Sequence, residues 1–475
     1  MRNQYFHSYY ACFFQKITGK EKFLSIFHDR RGGTRMDNLP EAVEEVLARL
    51  EAAGYEAWCV GGAVRDLLLG RTPGDWDVTT DAEPEAALAL FAPNALPTGL
   101  KHGTVTVKSG GQGVEVTTFR RDGDYLDGRH PEHVTFTRSL REDLARRDFT
   151  VNAIAMDRRG ALADPFRGRE DLAAGVLRAV GEPEKRFQED ALRILRGLRF
   201  ASRLGFAVEP GTAEALRRCA PLLGRIAPER IHAELTGILC GDHVLEVLLA
   251  YPDVLGVFLP EILPCVGFDQ RSVYHCYDVW EHTARAVAAS PPVPEVRYAL
   301  LLHDLGKPGT FSLDGEGRGH FYGHWRRSTA LADGILERLR FDNQSRRTIL
   351  TLVERHDCEL ALSERAVRRA LARYGEGTLR LLLAVKRADN LAQAEPYRGR
   401  QRLLDQWEDL LSLVLEQGAC FSLRQLVVKG GDLTALGLEG PAVGRALEGL
   451  LELVLDEKLP NDRAMLLEYA KEKLL

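Results

Sequence analysis

Two aspartates, Asp75 and Asp77, lie two positions apart in the segment Asp-Trp-Asp-Val-Thr-Thr. Alternate residues of a strand point to the same face, so a strand over Trp76–Thr79 presents the two carboxylates side by side. Two like charges held this close repel each other unless a cation lies between them. Oxygen ligands of this kind suit Mg²⁺, which keeps several waters and binds substrate phosphates. The pair therefore predicts a catalytic magnesium site for phosphoryl transfer.

A third carboxylate is expected to complete such a site, and Glu115 is our candidate. It interrupts an apolar strand predicted over Val114–Phe119. A charged residue there either joins the metal site, which is the interpretation we favour, or simply faces solvent.

A glycine turn, Gly61-Gly62, lies between a strand predicted over Glu56–Val60 and a helix that follows at once. Backbone amides at a helix N-terminus bind phosphate groups. Arg65 lies one turn into this helix and can reach the same phosphates. Alone, the turn would be read as a tight connection and the aspartates as a surface pair. Together, one short helix apart, they predict a site for a nucleoside triphosphate.

The order Gly-Gly-x-Val-Arg-Asp and then Asp-x-Asp resembles the polymerase-β-like nucleotidyltransferases. The closer resemblance is to the class II, or bacterial-type, family of tRNA CCA-adding enzymes and poly(A) polymerases. Three further segments resemble other motifs of that family in the expected order, and the resemblance covers roughly residues 39–240. These segments are Arg146–Ala153, Asp164–Leu172 and Ile226–Leu235.

The resemblance implies roles for residues that spacing alone would not single out. It implies that Arg147, Asp148 and Asn152 contact the ribose and phosphates of the nucleotide. It also implies that Arg230, in the neck-helix motif, belongs to the nucleotide-binding set.

A segment read as helical, Glu189-Asp190-Ala-Leu-Arg193-Ile-Leu-Arg196, resembles the family's EDxxR motif, in which an Asp and an Arg select the incoming base. Residues three apart on a helix are neighbours. Cytosine and adenine present an amino donor beside a ring-nitrogen acceptor, and guanine and uracil present the reverse. A carboxylate accepts and a guanidinium donates, so Asp190 and Arg193 match C and A alone. An ordinary helix salt bridge is the alternative. Arg196 is expected to support this pair or to face phosphate.

A second constellation lies in the helical half, where His303-Asp304 stands among leucines. A buried His-Asp pair is costly unless it is hydrogen-bonded or bound to a metal. Together with other histidines and Asp389, it resembles the ligand order of the HD-domain metal phosphohydrolases. The resemblance implies a core set of His282, His303, Asp304 and Asp389, and additional ligands His324 and His356 for a second metal.

Imidazole and carboxylate ligands suit Mn, Fe, Co, Ni or Zn, so the ligand types do not choose the metal. A lone histidine is more often structural than ligating, and the ordered set is what predicts metal binding. His275 is a weaker candidate for a supporting contact, and Lys307 is a candidate phosphate ligand.

The composition is that of a globular protein with several domains. The chain has 475 residues, a net charge of −5 and 45% hydrophobic residues, and no apolar run approaches the roughly 20 residues that span a bilayer. Eight cysteines without a CxxC pair indicate reduced thiols and a cytoplasmic setting. Arginine clusters in the middle and rear of the chain are either solvated helix faces or a track for a phosphate backbone.

These patterns predict an α+β fold. The resemblances imply that a polymerase-β-like nucleotidyltransferase head, with a small mixed sheet and helices, precedes an all-α neck and body and an all-α HD domain. The first segment is expected to be disordered or to precede a natural start at Met36, and the last to bind tRNA or to pack. The predicted segments are 1–35 (extension), 36–165 (head), 166–265 (helical neck that binds RNA and nucleotide), 266–400 (HD domain) and 401–475 (helical tail).

The resemblance implies Mg²⁺-dependent addition of C, C and A to the 3′ end of tRNA from CTP and ATP. The tRNA would be held by its 3′ end and its acceptor and T arms, and the HD domain would hydrolyse 2′,3′-cyclic or terminal phosphates. A poly(A) polymerase, or a partial enzyme adding only CC or only A, would share these motifs. An HD phosphohydrolase with an RNA-binding head is a further alternative. A non-enzymatic RNA-binding module is disfavoured because binding alone does not require paired carboxylates. The oligomeric state is not indicated.

Overall fold

A computed structural model describes residues 39–123 and 134–474. Its contacts divide the chain into two compact units. The head unit comprises Met1–Ala201 and Gly205–Arg225, and the helical unit comprises Ser202–Leu204 and Ile226–Leu475. The extension expected over 1–35 and the start expected at Met36 lie outside the described residues.

The described head contains a seven-stranded mixed sheet with helices. The head as a whole has strands β1 (Ala57–Val60), β2 (Asp77–Thr80), β3 (Ala95–Gly99), β4 (Thr104–Ser109), β5 (Gln112–Thr118), β6 (Arg120–Asp122), β7 (Val134–Phe136), β8 (Ala155–Met156), β9 (Leu162–Ala163), β10 (Val176–Leu177) and β11 (Ala207–Val208). Strands β6 and β7 pair with each other, as do β10 and β11, outside the large sheet. Its helices are α1 (Glu41–Ala52), α2 (Gly62–Leu68), α3 (Pro84–Phe91), α4 (Leu140–Ala145), α5 (Gly168–Ala174), α6 (Pro183–Glu189), α7 (Leu192–Leu204) and α8 (Pro210–Cys219).

The order of strands in the large sheet is β3-β4-β5-β2-β1-β8-β9. Strands β2 and β5 run parallel, whereas β1 pairs with β2 in the antiparallel sense. Helix α1 buries an apolar stripe, from Val43 through Val46 and Leu47 to Leu50, in the same core as Val78 of β2. This spacing of three and four residues is that of one helix face. The sheet thus has a buried core that holds β2 in register between β1 and β5.

The predicted fold class is confirmed. Strands are present within a few residues of the four positions expected from the sequence, which are Glu56–Val60, Trp76–Thr79, Thr104–Lys108 and Val114–Phe119. Strand β3 was not predicted because its middle three residues are exposed and it contains Pro97, so it lacks the alternation of a half-buried strand. Strands β8 and β9 have two residues each, and their pairing with β1 and with each other defines them. Strands of two residues are too short to show the alternation of apolar and polar residues from which a strand is predicted.

The helical unit is built almost entirely from helices, with one small hairpin. Its helices are α9 (Pro228–Leu239), α10 (Val244–Ala250), α11 (Pro252–Leu255), α12 (Val279–Ala289), α13 (Pro294–Leu302), α14 (His324–Arg338), α15 (Asn343–Arg355), α16 (Glu364–Leu391), α17 (Gln401–Glu416), α18 (Gly430–Ala435), α19 (Pro441–Leu455) and α20 (Arg463–Lys473). The hairpin strands are β12 (Ser312–Leu313) and β13 (Gly319–His320). No described helix is long and apolar enough to cross a membrane.

One of the arginine clusters is engaged with acidic residues. Arg365 and Arg369, in α16, lie 3.0 Å from Asp456 Oδ1 and 3.0 Å from Glu452 Oε2, respectively, through their Nη2 atoms. These acidic residues are in and directly after α19. For this cluster, ion pairs within the unit compete with the predicted role as a phosphate track.

Gly168, the first residue of α5, packs closely against the backbone of the head. A β-carbon at this position would lie 2.1 Å from the Thr150 carbonyl oxygen and 2.8 Å from Ile154 Cγ1. The Gly168 amide also donates to Asp164 Oδ1 at 2.7 Å, which holds the start of the helix in place. The glycine in this motif is therefore required by packing.

We expect Gly168→Ala to lower the free energy of unfolding of the head by about 1–3 kcal/mol, because backbone atoms must move to admit the methyl group. Chemical denaturation followed by tryptophan fluorescence measures this change. Gly224→Ala is the matched control, since a β-carbon there meets no atom within 4 Å. Equal stability of the two variants would contradict the packing argument.

Candidate active site

The sheet register brings the three predicted carboxylates to one end of the sheet. Asp77 is the first residue of β2 and pairs with Val60 of β1 on one side and with Glu115 of β5 on the other. Asp75 stands just before the strand, and all three acidic side chains are exposed to solvent. Glu115 was predicted from a single charge in an apolar strand, and it lies beside Asp77 although 38 positions separate them in the chain.

These carboxylates perturb one another. Neighbouring protein atoms restrict the solvation of Asp77 and raise its pKa; the Arg147 guanidinium opposes this shift and the Asp75 charge adds to it. The pKa of Glu115 is raised by desolvation and by the charges of Asp77 and Asp75. The site therefore concentrates negative charge that a cation would relieve. Among the described residues, the groups of side chains whose ligand atoms lie within 4.8 Å of one another are in the helical unit. The three carboxylates of the head are therefore spaced more widely than the ligands of a closed metal site.

Arg147 is the cation that faces this end of the sheet. A β-carbon built on Gly61 would lie 3.0 Å from Arg147 Nη1 and 3.6 Å from Asp77 Oδ2, so glycine is the residue that leaves room there. Gly61 also has φ 76° and ψ −137°, a backbone conformation that other residues rarely adopt. Gly62 begins α2 directly after it. Turn, arginine and aspartate thus form one close-packed group.

Asp143 contacts Arg147 of this group, and it was not predicted as a site residue from the sequence. Its fully buried carboxylate lies 2.8 Å from Arg146 Nη2 and 3.7 Å from Arg147 Nη2. It also accepts a hydrogen bond from Thr79 Oγ1 of β2 at 3.2 Å. The sequence signal that could have identified Asp143 is its spacing of three and four residues from the two arginines. The same spacing is typical of an ordinary salt bridge on a helix surface, so it does not single out a site residue.

A hydrogen-bonded chain links the helix after the glycine turn to α7. Arg65 Nη1 donates to Asn152 Oδ1 at 2.8 Å, and Asn152 Nδ2 donates to Asp148 Oδ1 at 3.0 Å. Arg196 Nε donates to Asp148 Oδ2 at 2.9 Å. Burial works against the charged form of Asp148, but Arg196 and Asn152 outweigh it and lower the pKa of Asp148 to about 2. Arg65 is buried in this network, where protein acceptors occupy its guanidinium.

The continuous helix predicted over Glu189–Arg196 is wrong. Helix α6 ends at Glu189, and Asp190 is extended, with φ −139° and ψ 104°. Its Oδ1 accepts a hydrogen bond from the Leu192 amide at 3.0 Å, at the start of α7. Aspartate side chains compete with helical backbone bonds in this way, so the sequence pattern could not distinguish one helix from two.

Arg193 is largely buried and fixed by three acceptors. It donates to Glu189 Oε2 at 2.6 Å and to the carbonyl oxygens of Arg186 and Arg146 at 3.2 Å and 3.1 Å. These contacts orient the guanidinium without any ligand. Arg230 lies in the first turn of α9, in the helical unit, whereas the other predicted nucleotide-binding residues lie in the head unit.

In the helical unit the predicted ligands form two adjoining groups that share Asp304. One group contains His282 and His303: His282 Nε2 lies 2.9 Å from Asp389 Oδ1, and His303 Nε2 lies 3.1 Å from Asp304 Oδ2. The other contains His324 and His356. In each group the ligand atoms of the two histidines and Asp304 lie within 4.8 Å of one another.

Backbone carbonyls orient the second pair of histidines. His324 Nδ1 lies 3.0 Å from the Phe321 oxygen, and His356 Nδ1 lies 2.7 Å from the Val353 oxygen. A carbonyl can only accept, so these contacts place the proton of each neutral ring on Nδ1. The two Nε2 lone pairs then face each other at 3.1 Å. Lone pairs in that arrangement repel unless a cation or a proton lies between them.

The buried charge around Asp304 also favours a cation. Asp304 is 1% exposed, and both of its carboxylate oxygens, like His303 Nε2, lack a well-aligned hydrogen bond among the described residues. Burial opposes the protonation of His303, but Asp304 and Asp389 raise the pKa of His303 to about 10. A proton on that ring supplies positive charge that a metal ion would also supply. Imidazole and carboxylate donors in this number fit a transition metal.

The structure places two further candidates close to this cluster. Lys307 is buried, 2.7 Å from Asp304 Oδ2, and donates to Gln270 Oε1 at 2.9 Å, so an internal carboxylate neutralises the predicted phosphate ligand. The ring of His275 lies 4.8 Å from that of His282. Burial and the charges of Lys307 and His282 lower the pKa of His275 to about 3, which keeps this ring neutral.

Three segments of the chain match family models. Residues 57–178 match the poly A polymerase head domain, residues 205–264 match the RNA and SrmB-binding site of polymerase A, and residues 325–470 match tRNA nucleotidyltransferase domain 2. Together with the mixed sheet and its carboxylate end, the first match defines a nucleotidyltransferase head of the poly A polymerase type.

Similar proteins identify the family within the nucleotidyltransferase class. The CCA-adding enzyme of Lactobacillus helveticus is 34% identical over 445 residues, which cover 92% of this chain and 99% of that enzyme. The Geobacillus stearothermophilus CCA-adding enzyme is 47% identical over 262 residues; this alignment covers 55% of the chain and 62% of that relative's length. The crystal structure of the Bacillus stearothermophilus CCA-adding enzyme in complex with CTP has 32% sequence identity and a TM-score of 0.68, over 91% of this chain and 98% of that one. The chain belongs to the CCA-adding enzyme family.

Proposed function

We propose that this protein adds C, C and A to the 3′ end of tRNA from CTP and ATP. The observation that carries the proposal is the group formed by Asp75, Asp77 and Glu115 beside the Gly61 turn. A family whose members are CCA-adding enzymes supports the choice of tRNA as substrate.

Asp75, Asp77 and Glu115 would hold Mg²⁺, because the three neighbouring carboxylates repel one another, and the raised pKa values of Asp77 and Glu115 fit a divalent cation. When bound, Mg²⁺ supplies positive charge that stabilises the attack of a 3′-hydroxyl on the α-phosphate of a nucleotide. The amides of the Gly61-Gly62 turn bind the triphosphate, and Arg147 adds positive charge beside Asp77. The Asp148 network holds Arg65 and Asn152 rigidly, so these groups position the nucleotide without rearranging.

Base choice is assigned to Asp190 and Arg193. The donors of Arg193 match the ring-nitrogen acceptor of C and A, and the carboxylate of Asp190 matches their amino group. Glu189 and two backbone carbonyls fix the guanidinium, so a wrong base cannot reorient it cheaply. Unpaired buried polar groups are what give large discrimination between ligands.

With Mg²⁺, CTP and ATP, tRNAs ending at the discriminator base, at C and at CC should all be completed to a single CCA. Asp77→Asn should reduce incorporation by at least about a hundredfold, because it removes one metal ligand. Labelled products resolved on a gel give both results. Glu85→Gln, which removes an exposed carboxylate from α3, is the control. Long A tails, or use of one nucleotide only, would instead identify a poly(A) polymerase or a partial enzyme.

Arg193→Ala should lower the preference for CTP and ATP over UTP and GTP by about tenfold or more, since it removes the donors that the wrong bases mismatch. Single-turnover incorporation of each nucleotide measures the ratio. Arg203→Ala, an exposed arginine at the end of the same helix, should leave it unchanged. An unaltered ratio in Arg193→Ala would eliminate this residue as a base selector.

A second function is favoured by the histidine–aspartate cluster. We propose that His282, His303, Asp304 and Asp389, together with His324 and His356, hold transition-metal ions in an HD-type phosphohydrolase site. The support is the pair of opposed Nε2 atoms and the buried carboxylate without well-aligned hydrogen bonds. Such ions lower the pKa of a bound water.

We expect the protein to retain Mn²⁺ after dialysis and to hydrolyse adenosine 2′,3′-cyclic phosphate. Asp304→Asn, which weakens the ligand shared by both groups, should lose most of the metal and the hydrolysis but keep nucleotide addition. Elemental analysis and phosphate release measure these properties. Asp409→Asn, which removes an exposed carboxylate from α17, is the control. If the parent protein retains no metal, the HD-type assignment fails.

A further inference from the structure

A cavity of about 460 Å³ opens above the histidine–aspartate cluster, and Asp304, His324 and His356 form part of its wall. This volume lies within the range of small-ligand pockets. Its wall includes exposed aromatic side chains, alongside exposed charged residues such as Asp314 and Arg318. Tyr322 is 78% exposed and Tyr274 54% exposed. The cavity thus joins a charged, polar floor to aromatic walls.

Tyr322 is exposed but its ring is supported. It stacks on His320 with a centroid distance of 5.3 Å and an interplanar angle of 3°. His320 Nε2 lies 2.9 Å from Asp314 Oδ2. Asp314 also accepts hydrogen bonds from the Glu316 and Arg318 amides at 2.9 Å each, within the turn that joins β12 and β13. The hairpin therefore fixes the His320 ring, which supports the Tyr322 ring while most of the tyrosine side chain stays exposed.

A ligand that suits both parts of the cavity carries a planar ring and a phosphate. Nucleobases stack on aromatic side chains irrespective of sequence, because every base has a π-face. The cluster at the floor, with its proposed metal ions, is suited to a phosphoester. A simple alkyl phosphate would use the floor alone and leave Tyr322 bare.

We propose that Tyr322, supported by His320, is the base-stacking platform of this cavity and makes it select phosphoesters that carry a nucleobase. The base lies on the exposed face of Tyr322, and the phosphate is directed toward Asp304, His324 and His356. The ligand is a mononucleotide or the terminal nucleotide of an RNA strand, which share this chemistry. The inference rests on the proposed metal site for the position of the phosphate, but not for the stacking.

The test is calorimetric binding of adenosine 3′-monophosphate and of glycerol 2-phosphate to the full chain with Mn²⁺. No nucleotide is added to block the head, because the head is the same in the parent and in Tyr322→Ala and the difference between them isolates the cavity. Tyr322→Ala should bind the nucleotide roughly tenfold more weakly, because stacking of one base is lost, and should bind glycerol 2-phosphate as before. Tyr322→Phe should restore nucleotide binding. Leu313→Ala, which trims another exposed apolar side chain of the same hairpin, should bind both ligands like the parent.

The inference is overturned if Tyr322→Ala retains the parent's ratio of affinities for the two ligands, or if the parent does not prefer the nucleotide. Failure of the metal site gives a different pattern: Asp304→Asn and the parent then bind the nucleotide alike, while the loss in Tyr322→Ala persists. A short RNA with a 3′-phosphate distinguishes the two ligand sources. Tighter binding than the mononucleotide assigns the platform to RNA ends, and equal binding assigns it to a single nucleotide; both support stacking.

Discussion

Adjacent strands β2 and β5 bring Asp77 and Glu115 side by side, and the chain carries Asp75 to the same end of the sheet. The arrangement of the neighbouring residues in the head depends on this concentration of negative charge. Arg147 offsets part of it, and Asp143 behind the sheet holds Arg147 in turn. The glycine turn must leave space for that arginine. The register of a small sheet and one buried carboxylate thus position the groups to which we assign the cation and the triphosphate.

The helical unit also concentrates negative charge, but different contacts offset it. Its negative charge is buried, so desolvation makes an unpaired Asp304 far more costly than an exposed Asp77. The backbone carbonyl of Phe321, just before α14, orients His324, and that of Val353, in the last turn of α15, orients His356. A lysine pairs with the carboxylate. A solvated site can exchange its ion with each substrate. A buried site of histidines is better suited to retain one.

The sequence allowed the strands and the carboxylate neighbours to be predicted, because period-2 alternation specifies which residues share a face of the sheet. The histidines predicted as ligands are far apart in the chain, and the structure brings their side chains together around Asp304; their metal binding stays a prediction. The sequence did not reveal the break at Asp190, since the choice between a helical bond and a side-chain cap depends on surrounding contacts. The partners of Arg193 and Lys307 were equally hidden. Long side chains reach several acceptors, and only the packed structure selects among them.

The two proposed sites are held by separate hydrogen-bond networks. The network from Arg65 through Asn152 and Asp148 to Arg196 closes entirely within the head unit. The contacts that orient His324 and His356 close entirely within the helical unit. Each site is therefore preorganised by residues of its own unit. A substitution in one of these networks leaves the hydrogen bonds of the other intact, so the proposal implies that the two activities can be separated by mutation.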